Sequence, residues 1–305
     1  MIWLLAALLF SLFLLGGWLL MKSVCGRCPL PASTDPQRHP SPAAAEEFLN
    51  GRPVKFLHVE SYDRKLLCGR FVPCDNARGT LLLFHGYHAN AMLDYAPTME
   101  YYHNLGFHLL LVDQRAHGKS QGRFLTFGLK ERMDVLSWVT YLSLMLGETH
   151  PIFLMGMSLG AATVTMASAL DFPGNVRGII SDCGYSSVRD IIHSVVARDH
   201  PHLAGFLTGL FGIFSLLYGG FGLRDWTSAE ALAETSLPVL FIHGLVDHCV
   251  PCSMTRVSYD ACRSDKTLLE VPGADHCRSF QVDPAACKQA VDAFFDKNLK
   301  EREPQ

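Results

Sequence analysis

A chain of 305 residues, 49% apolar and 18% charged, can bury one large core with appendages, which excludes a disordered or low-complexity scaffold. Its 26 basic and 29 acidic residues nearly cancel to a net charge of -3, which excludes the basic footprint of a nucleic-acid binder. The surplus of apolar residues is what needs a physical account.

Part of it lies at the start. Residues 1–21 carry no charge and one hydroxyl, Ser11, and are long enough to cross a hydrocarbon layer of about 30 Å as a helix. A cleaved signal peptide has basic residues before its apolar run and small residues at a cleavage site after it. Here Lys22 and Arg27 follow the run and nothing basic precedes it. A single-pass membrane anchor over residues 1–21 is therefore expected. Lys22, Arg27 and Arg38 favour the cytoplasmic face for the rest of the chain. Residues 22–50 read as a linker, with proline, serine and alanine concentrated at 31–42. The ten cysteines, with the pairs Cys25/Cys28 and Cys249/Cys252, suit either disulfides or reduced thiols. Zinc is disfavoured because the two pairs lie in unrelated contexts.

A catalytic domain is expected over residues 51–300, with a tail at 301–305. Residues 54–60 and 66–73 flank a turn at Tyr62, Asp63 and Arg64 and predict an N-terminal β-hairpin. From Gly79 onward the apolar runs TLLLFHG, FHLLLVD, PIFLMG, VRGIISD, PVLFIHG and TLLEVPG alternate with helical patterns, the last at 283–299. Such a series predicts an α/β fold, a mostly parallel sheet with helices on both faces. Ligands of such sheets bind beyond the C-terminal ends of the strands.

The strand-end loops carry the chemistry. Gly156-Met157-Ser158-Leu159-Gly160 joins a strand to an alanine-rich helix, a G-x-S-x-G turn in which residues two before and two after the serine must be almost without side chains. A serine hydroxyl needs a general base, itself oriented by a carboxylate. Asp247 follows the PVLFIHG strand and His276 follows the next one, so both can converge on Ser158. Asp182, at the end of VRGIISD, is a second candidate for the acid, and Asp247 is favoured. His248 reads as a surface or supporting histidine, and Asp275 as a residue shaping the turn. Two amides must meet a developing oxyanion. That of Leu159 is one candidate, and that of Tyr87, in the His85-Gly86-Tyr87 loop, is the other. Gly86 permits the bend and His85 braces the loop.

Taken together, LFHGY, DQRAHGKS, GMSLG, FIHGLVD and GADH resemble the α/β-hydrolase superfamily over residues 54–299, most closely bacterial-type serine hydrolases with prolyl-oligopeptidase-like or serine-aminopeptidase-like domains. The resemblance implies a triad of Ser158, Asp247 and His276, an oxyanion hole at Tyr87 and Leu159, and a supporting loop at 113–120, where the family often has glycine in place of Ala116. The serine argues against relatives that use aspartate or cysteine. It also implies a helical cap inserted between the fourth and fifth of these strands, here residues 186–236.

The cap holds a second uncharged run, residues 203–223. A membrane span there would place Ser158 and His276 on opposite sides of a bilayer, so that reading is rejected. The run is either cap core packed over the sheet, the favoured reading, or an apolar lid meeting membrane or an acyl chain through Phe206, Phe211, Phe214, Leu216, Leu217 and Phe221. The expectation is a membrane-anchored serine hydrolase acting on small-molecule or lipid-like esters or thioesters, without metal or organic cofactor. A peptidase or acyltransferase with the same triad is the alternative, and a non-catalytic binding protein on this fold is a more distant one.

Overall fold

The computed structural model describes residues 2–28 and 42–300. The proline-rich stretch from 31 to 41 and the tail at 301–305 lie outside them. The uncharged N-terminus forms one helix, α1 (Ile2–Cys25), about 36 Å long at 1.5 Å per residue, and long and apolar enough to cross a membrane. Most of it is exposed; Gly17, Met21 and Cys25, four residues apart on one face, are buried.

Residues 22–28 were expected as linker and are instead part of the fold. Gly26 and Cys28 bridge to Phe124 and His117, the Cys28 amide donates to the Ala116 carbonyl at 2.8 Å, and the Leu125 amide donates to the Cys25 carbonyl at 2.8 Å. The far end of the expected linker is also ordered. Helix α2 (Pro42–Leu49) buries Ala45 and Phe48 against the sheet layer, because these apolar residues fall on one helical stripe.

The hairpin strands β1 (Lys55–Glu60) and β2 (Leu66–Val72) precede β3 (Gly79–Phe84), β4 (Phe107–Asp113), β5 (Ile152–Met157), β6 (Val176–Asp182), β7 (Val239–Gly244) and β8 (Lys266–Val271). They make one eight-stranded sheet in the order β1-β2-β4-β3-β5-β6-β7-β8. The β1/β2 and β2/β4 pairs are antiparallel and the others parallel. Within β3, Leu81 and Leu83 enter the core on one face while Leu82 and Phe84 enter that on the other, the two-residue period of a strand covered on both sides.

Helices α3 (Ala91–Tyr95) and α4 (Met99–Asn104) cover the first face with α2 and the C-terminal helix; Pro97 falls between them and keeps them apart. Helices α5 (Glu131–Leu146) and α6 (Leu159–Met166) begin the second layer. The insertion between β6 and β7 contains α7 (Val188–Asp199), α8 (Ala204–Phe214) and α9 (Ser228–Glu234). The last of these packs on α6 and on α10 (Cys252–Ala261), and so joins the second layer. After β8 the chain closes with α11 (Ser279–Val282) and α12 (Pro284–Lys300), the latter covering the first face.

The cap's uncharged run divides between core and surface. Ala204, Thr208, Phe211 and Phe214 of α8 are buried, whereas Leu203, Phe206, Ile213, Leu216 and Leu217 are 54% to 70% exposed. Because β6 and β7 are parallel neighbours in the sheet, the chain leaves for the cap at the C-terminal end of β6 and returns past α9 to the N-terminal end of β7.

Candidate active site

Three loops meet at the C-terminal ends of β5, β7 and β8. At the first, Ser158 stands between β5 and α6 with φ 54° and ψ -111°, a left-handed backbone that a non-glycine residue adopts only where its surroundings enforce it. Its amide is fixed to the Asp182 carbonyl at 2.9 Å. The flanking glycines explain how the turn closes. A Cβ at Gly156 would strike the Gly160 carbonyl and the Ala161 amide, and one at Gly160 would strike the Phe84 and His85 carbonyls, all of them backbone atoms that cannot swing aside.

The second loop follows β7. Asp247 Oδ1 accepts the Cys249 and Val250 amides at 2.8 and 2.7 Å, which leaves Oδ2 to meet His276 Nδ1 at 2.7 Å. The third loop follows β8 and brings His276 Nε2 to 2.9 Å from Ser158 Oγ. With Asp247 accepting from Nδ1–H, Nε2 carries the lone pair that faces the hydroxyl, a tautomer assigned from these partners. Asp275 ties the two loops, taking the His276 amide at 2.7 Å and the His248 amide at 3.0 Å. It shapes the turn, while His248 is exposed.

The electrostatics follow the geometry. Burial alone would raise the Asp247 carboxyl, but hydrogen bonds from His243 and His276 outweigh it and hold it well below the ordinary carboxylate range. Burial alone would lower the His276 imidazole, but the neighbouring Cys277 sulfur and the hydrogen bond to Asp247 hold it well above its ordinary value. Asp182, the rival acid, is buried, and burial drives its carboxyl well above its usual range. Among the described residues its Oδ1 has no hydrogen-bond partner. Burial thus disfavours the charged form of Asp182 that would hold an imidazolium, whereas Asp247 Oδ2 meets the imidazole directly.

The loop after β3 is braced as a unit. His85 is buried, with Nδ1 on the Gly86 carbonyl at 2.7 Å and Nε2 accepting the Gln114 amide at 3.1 Å; burial lowers its pKa. Gln114 Oε1 in turn accepts from Thr163 of α6 at 3.0 Å, and the Gly86 amide donates to Asp94 at 2.6 Å. The Tyr87 ring stacks on His88 at 4.0 Å, and its hydroxyl donates to the Val24 carbonyl of α1 at 2.7 Å. The side chain is thereby committed to α1, so any oxyanion contact from this residue falls to its amide. Leu159 begins α6, whose helix N-terminus favours developing negative charge. In the supporting loop Ala116 has φ 60°, which gives the physical reason glycine suits this position.

One member of the site stands inside the FIHGLVD motif without having been given a role there. His243 is buried with Nε2 at 3.2 Å from Asp247 Oδ2 and 2.9 Å from the Val250 carbonyl, and Nδ1 at 2.7 Å from Thr255 Oγ1. Its signal was a lone histidine inside a buried strand, four residues before the acid. Among the described residues, the Cys183, His276 and Cys277 ligand atoms lie within 4.8 Å of one another and could hold a metal. Both His276 nitrogens are already engaged, so a metal there would compete with the hydrogen bonds to Ser158 and Asp247.

Residues 75–209 match the family model described as serine aminopeptidase, S33, a segment that includes Ser158 and ends before Asp247. The chain is 25% identical over 251 residues to the uncharacterized protein YqkD of Bacillus subtilis (strain 168), covering 82% of each. It is 25% identical over 197 residues to the protein bem46 of Schizosaccharomyces pombe, covering 62% of this chain and 58% of that one. Among solved structures it is similar to the Pyrococcus furiosus esterase Pf2001, with TM-score 0.69 and 20% identity over 90% of this chain and 98% of the esterase. It is also similar to Butyrivibrio proteoclasticus Est1E bound to ferulic acid, with TM-score 0.59 and 17% identity over 80% and 99% of the two chains. The sheet order, the serine turn between β5 and α6 and these likenesses together give the chain an α/β-hydrolase fold.

Proposed function

We propose that the protein is a membrane-anchored serine hydrolase that cleaves carboxylic esters or thioesters through an acyl-enzyme on Ser158. The observation that carries this reading is the unbroken chain from Ser158 Oγ through His276 to Asp247, with contacts of 2.9 and 2.7 Å. His276 takes the hydroxyl proton as Ser158 attacks the acyl carbon and returns it to the leaving group, while ionised Asp247 holds the imidazolium. The Leu159 and Tyr87 amides stabilise the oxyanion. Water, activated by the same histidine, then releases the acid. Gly156 and Gly160 keep the serine turn closed, and His85 and Gly86 hold the oxyanion loop.

Anchoring by α1, with the catalytic unit of residues 51–300 on the cytoplasmic face and residues 186–236 as its cap, completes the reading. Retention of α1 is favoured over cleavage because Met21 and Cys25 are wholly buried in the cluster that holds Leu159, Phe211 and Phe214. Removing them would open that cluster.

The test is turnover of nitrophenyl esters and thioesters graded in acyl length, set beside aminoacyl anilides. The description of the matching family favours an aminopeptidase as the second reading. Esters or thioesters cleaved faster than anilides are expected. The reverse order would replace the esterase reading with the aminopeptidase one.

A further inference from the structure

We propose that α8 of the cap is a second membrane contact, seated in the outer part of the same lipid leaflet that α1 enters. The proposal rests on the anchoring of the chain by α1 and adds a partner surface to it. The first observation is continuity. Phe214 packs against Phe13 with ring centroids 5.0 Å apart and covers Gly17, the Tyr218 hydroxyl donates to the Leu14 carbonyl at 2.8 Å, and Trp18 meets Tyr218 at 5.7 Å. These contacts fall between Phe13 and Trp18, roughly 6 to 13 Å along the helix axis on the apolar side of Lys22 at 1.5 Å per residue. A helix bonded to α1 at that level cannot stay in water while α1 is in lipid.

The second observation is the composition of the outward face. Leu203, Phe206, Ile213, Leu216 and Leu217 are each more than half exposed, on a segment with no charged residue from 203 to 223. A helix apolar on its outer as well as its inner face needs a second apolar medium.

The third is the rim. Lys22, Arg27 and Arg123 are exposed around the end of α1, and Arg123 lies 4.1 Å over the Trp18 ring. Arg189 and Arg224 line a groove of about 480 Å³ together with Gly205, Ile213 and Leu216 of the α8 segment. Asp225, in the same groove, is turned onto the Gly222 amide at 2.6 Å. Apolar side chains bordered by arginines and a tryptophan match the boundary between acyl chains and phosphate headgroups. The occupant is a phospholipid leaflet. Because the inner face of α8 shares a buried cluster with Leu159, docking brings the surroundings of the proposed nucleophile to the lipid.

The test uses the full chain with single reporters, Phe206→Trp and Leu217→Trp, each checked for folding by fluorophosphonate labelling of Ser158 and compared with wild type. Each is reconstituted in vesicles of phosphatidylcholine and phosphatidylglycerol at roughly four to one, with or without brominated acyl chains. Immersion of an amphipathic helix by about 5–10 Å predicts loss of roughly half of the added emission in brominated vesicles, together with protection from aqueous acrylamide. Emission quenched by acrylamide and untouched by bromine would overturn the proposal. So would protection from both, which would mean that protein, such as a second copy of the chain, covers this face. Alkaline carbonate separates the two readings. A chain that resists extraction but keeps unquenched reporters overturns the α8 contact alone, whereas a chain released by carbonate overturns the anchoring and this proposal with it.

Discussion

Around Ser158 the polar groups are enclosed and matched: Asp247 accepts from two backbone amides and two histidines, and His85 bridges its own loop to Gln114. Along α8 and the residues on either side of it, large apolar side chains stand in the open. In the first region each position is fixed by a directional partner, so a small change should have a large effect. In the second the inner residues pack and the outer ones do not, so a large change outside should cost the fold little.

Four substitutions test that contrast. Asp247→Asn keeps the shape of the acid and removes its charge, and kcat should fall about 10⁴-fold. The same change removes a main cause of the raised His276 pKa. A general base must be neutral, so wild-type activity should be lost as pH falls through that raised value, and the acid limb of Asp247→Asn should move to lower pH. A limb that stayed in place would mean that Asp247 does not set the protonation of His276. Gly160→Ala forces a Cβ into two backbone carbonyls and should cost about 3 kcal/mol, read as a fall in Tm of about 5 °C. His243→Asn removes one donor from the buried carboxylate and should lower kcat by roughly ten- to a hundredfold, the worth of a charge-assisted hydrogen bond. At the other end of the scale, Leu217→Ser, exposed in the turn that continues α8, should change stability in detergent by less than about 0.5 kcal/mol. A cost of several kcal/mol there would erase the difference between the two regions.

The sheet was legible because its strands are continuous apolar runs bounded by glycine and helical patterns, and their observed ends fall within a residue or two of those runs. The site geometry was legible for the same reason. Once the strands are placed, Ser158, Asp247 and His276 follow the C-terminal ends of β5, β7 and β8, on one edge of the sheet. What stayed hidden lacked a contrasting pattern. In α1 nearly every residue is apolar, so nothing in the sequence distinguishes Gly17, Met21 and Cys25, which pack, from residues that do not. Residues 22–28 form isolated backbone bridges, and bridges leave no periodicity. Helix α2 was masked by the proline-rich stretch before it. His243 lies inside an apolar strand, and nothing in that run distinguishes it as a partner of Asp247.

The most direct test of the central claim is fluorophosphonate labelling of the intact chain, with the modified residue located by mass spectrometry. The account predicts one label per chain, on Ser158, with labelling abolished in Ser158→Ala while that variant keeps the Tm of wild type. A folded Ser158→Ala protein that still took the label, or still turned over esters at the wild-type rate, would contradict it.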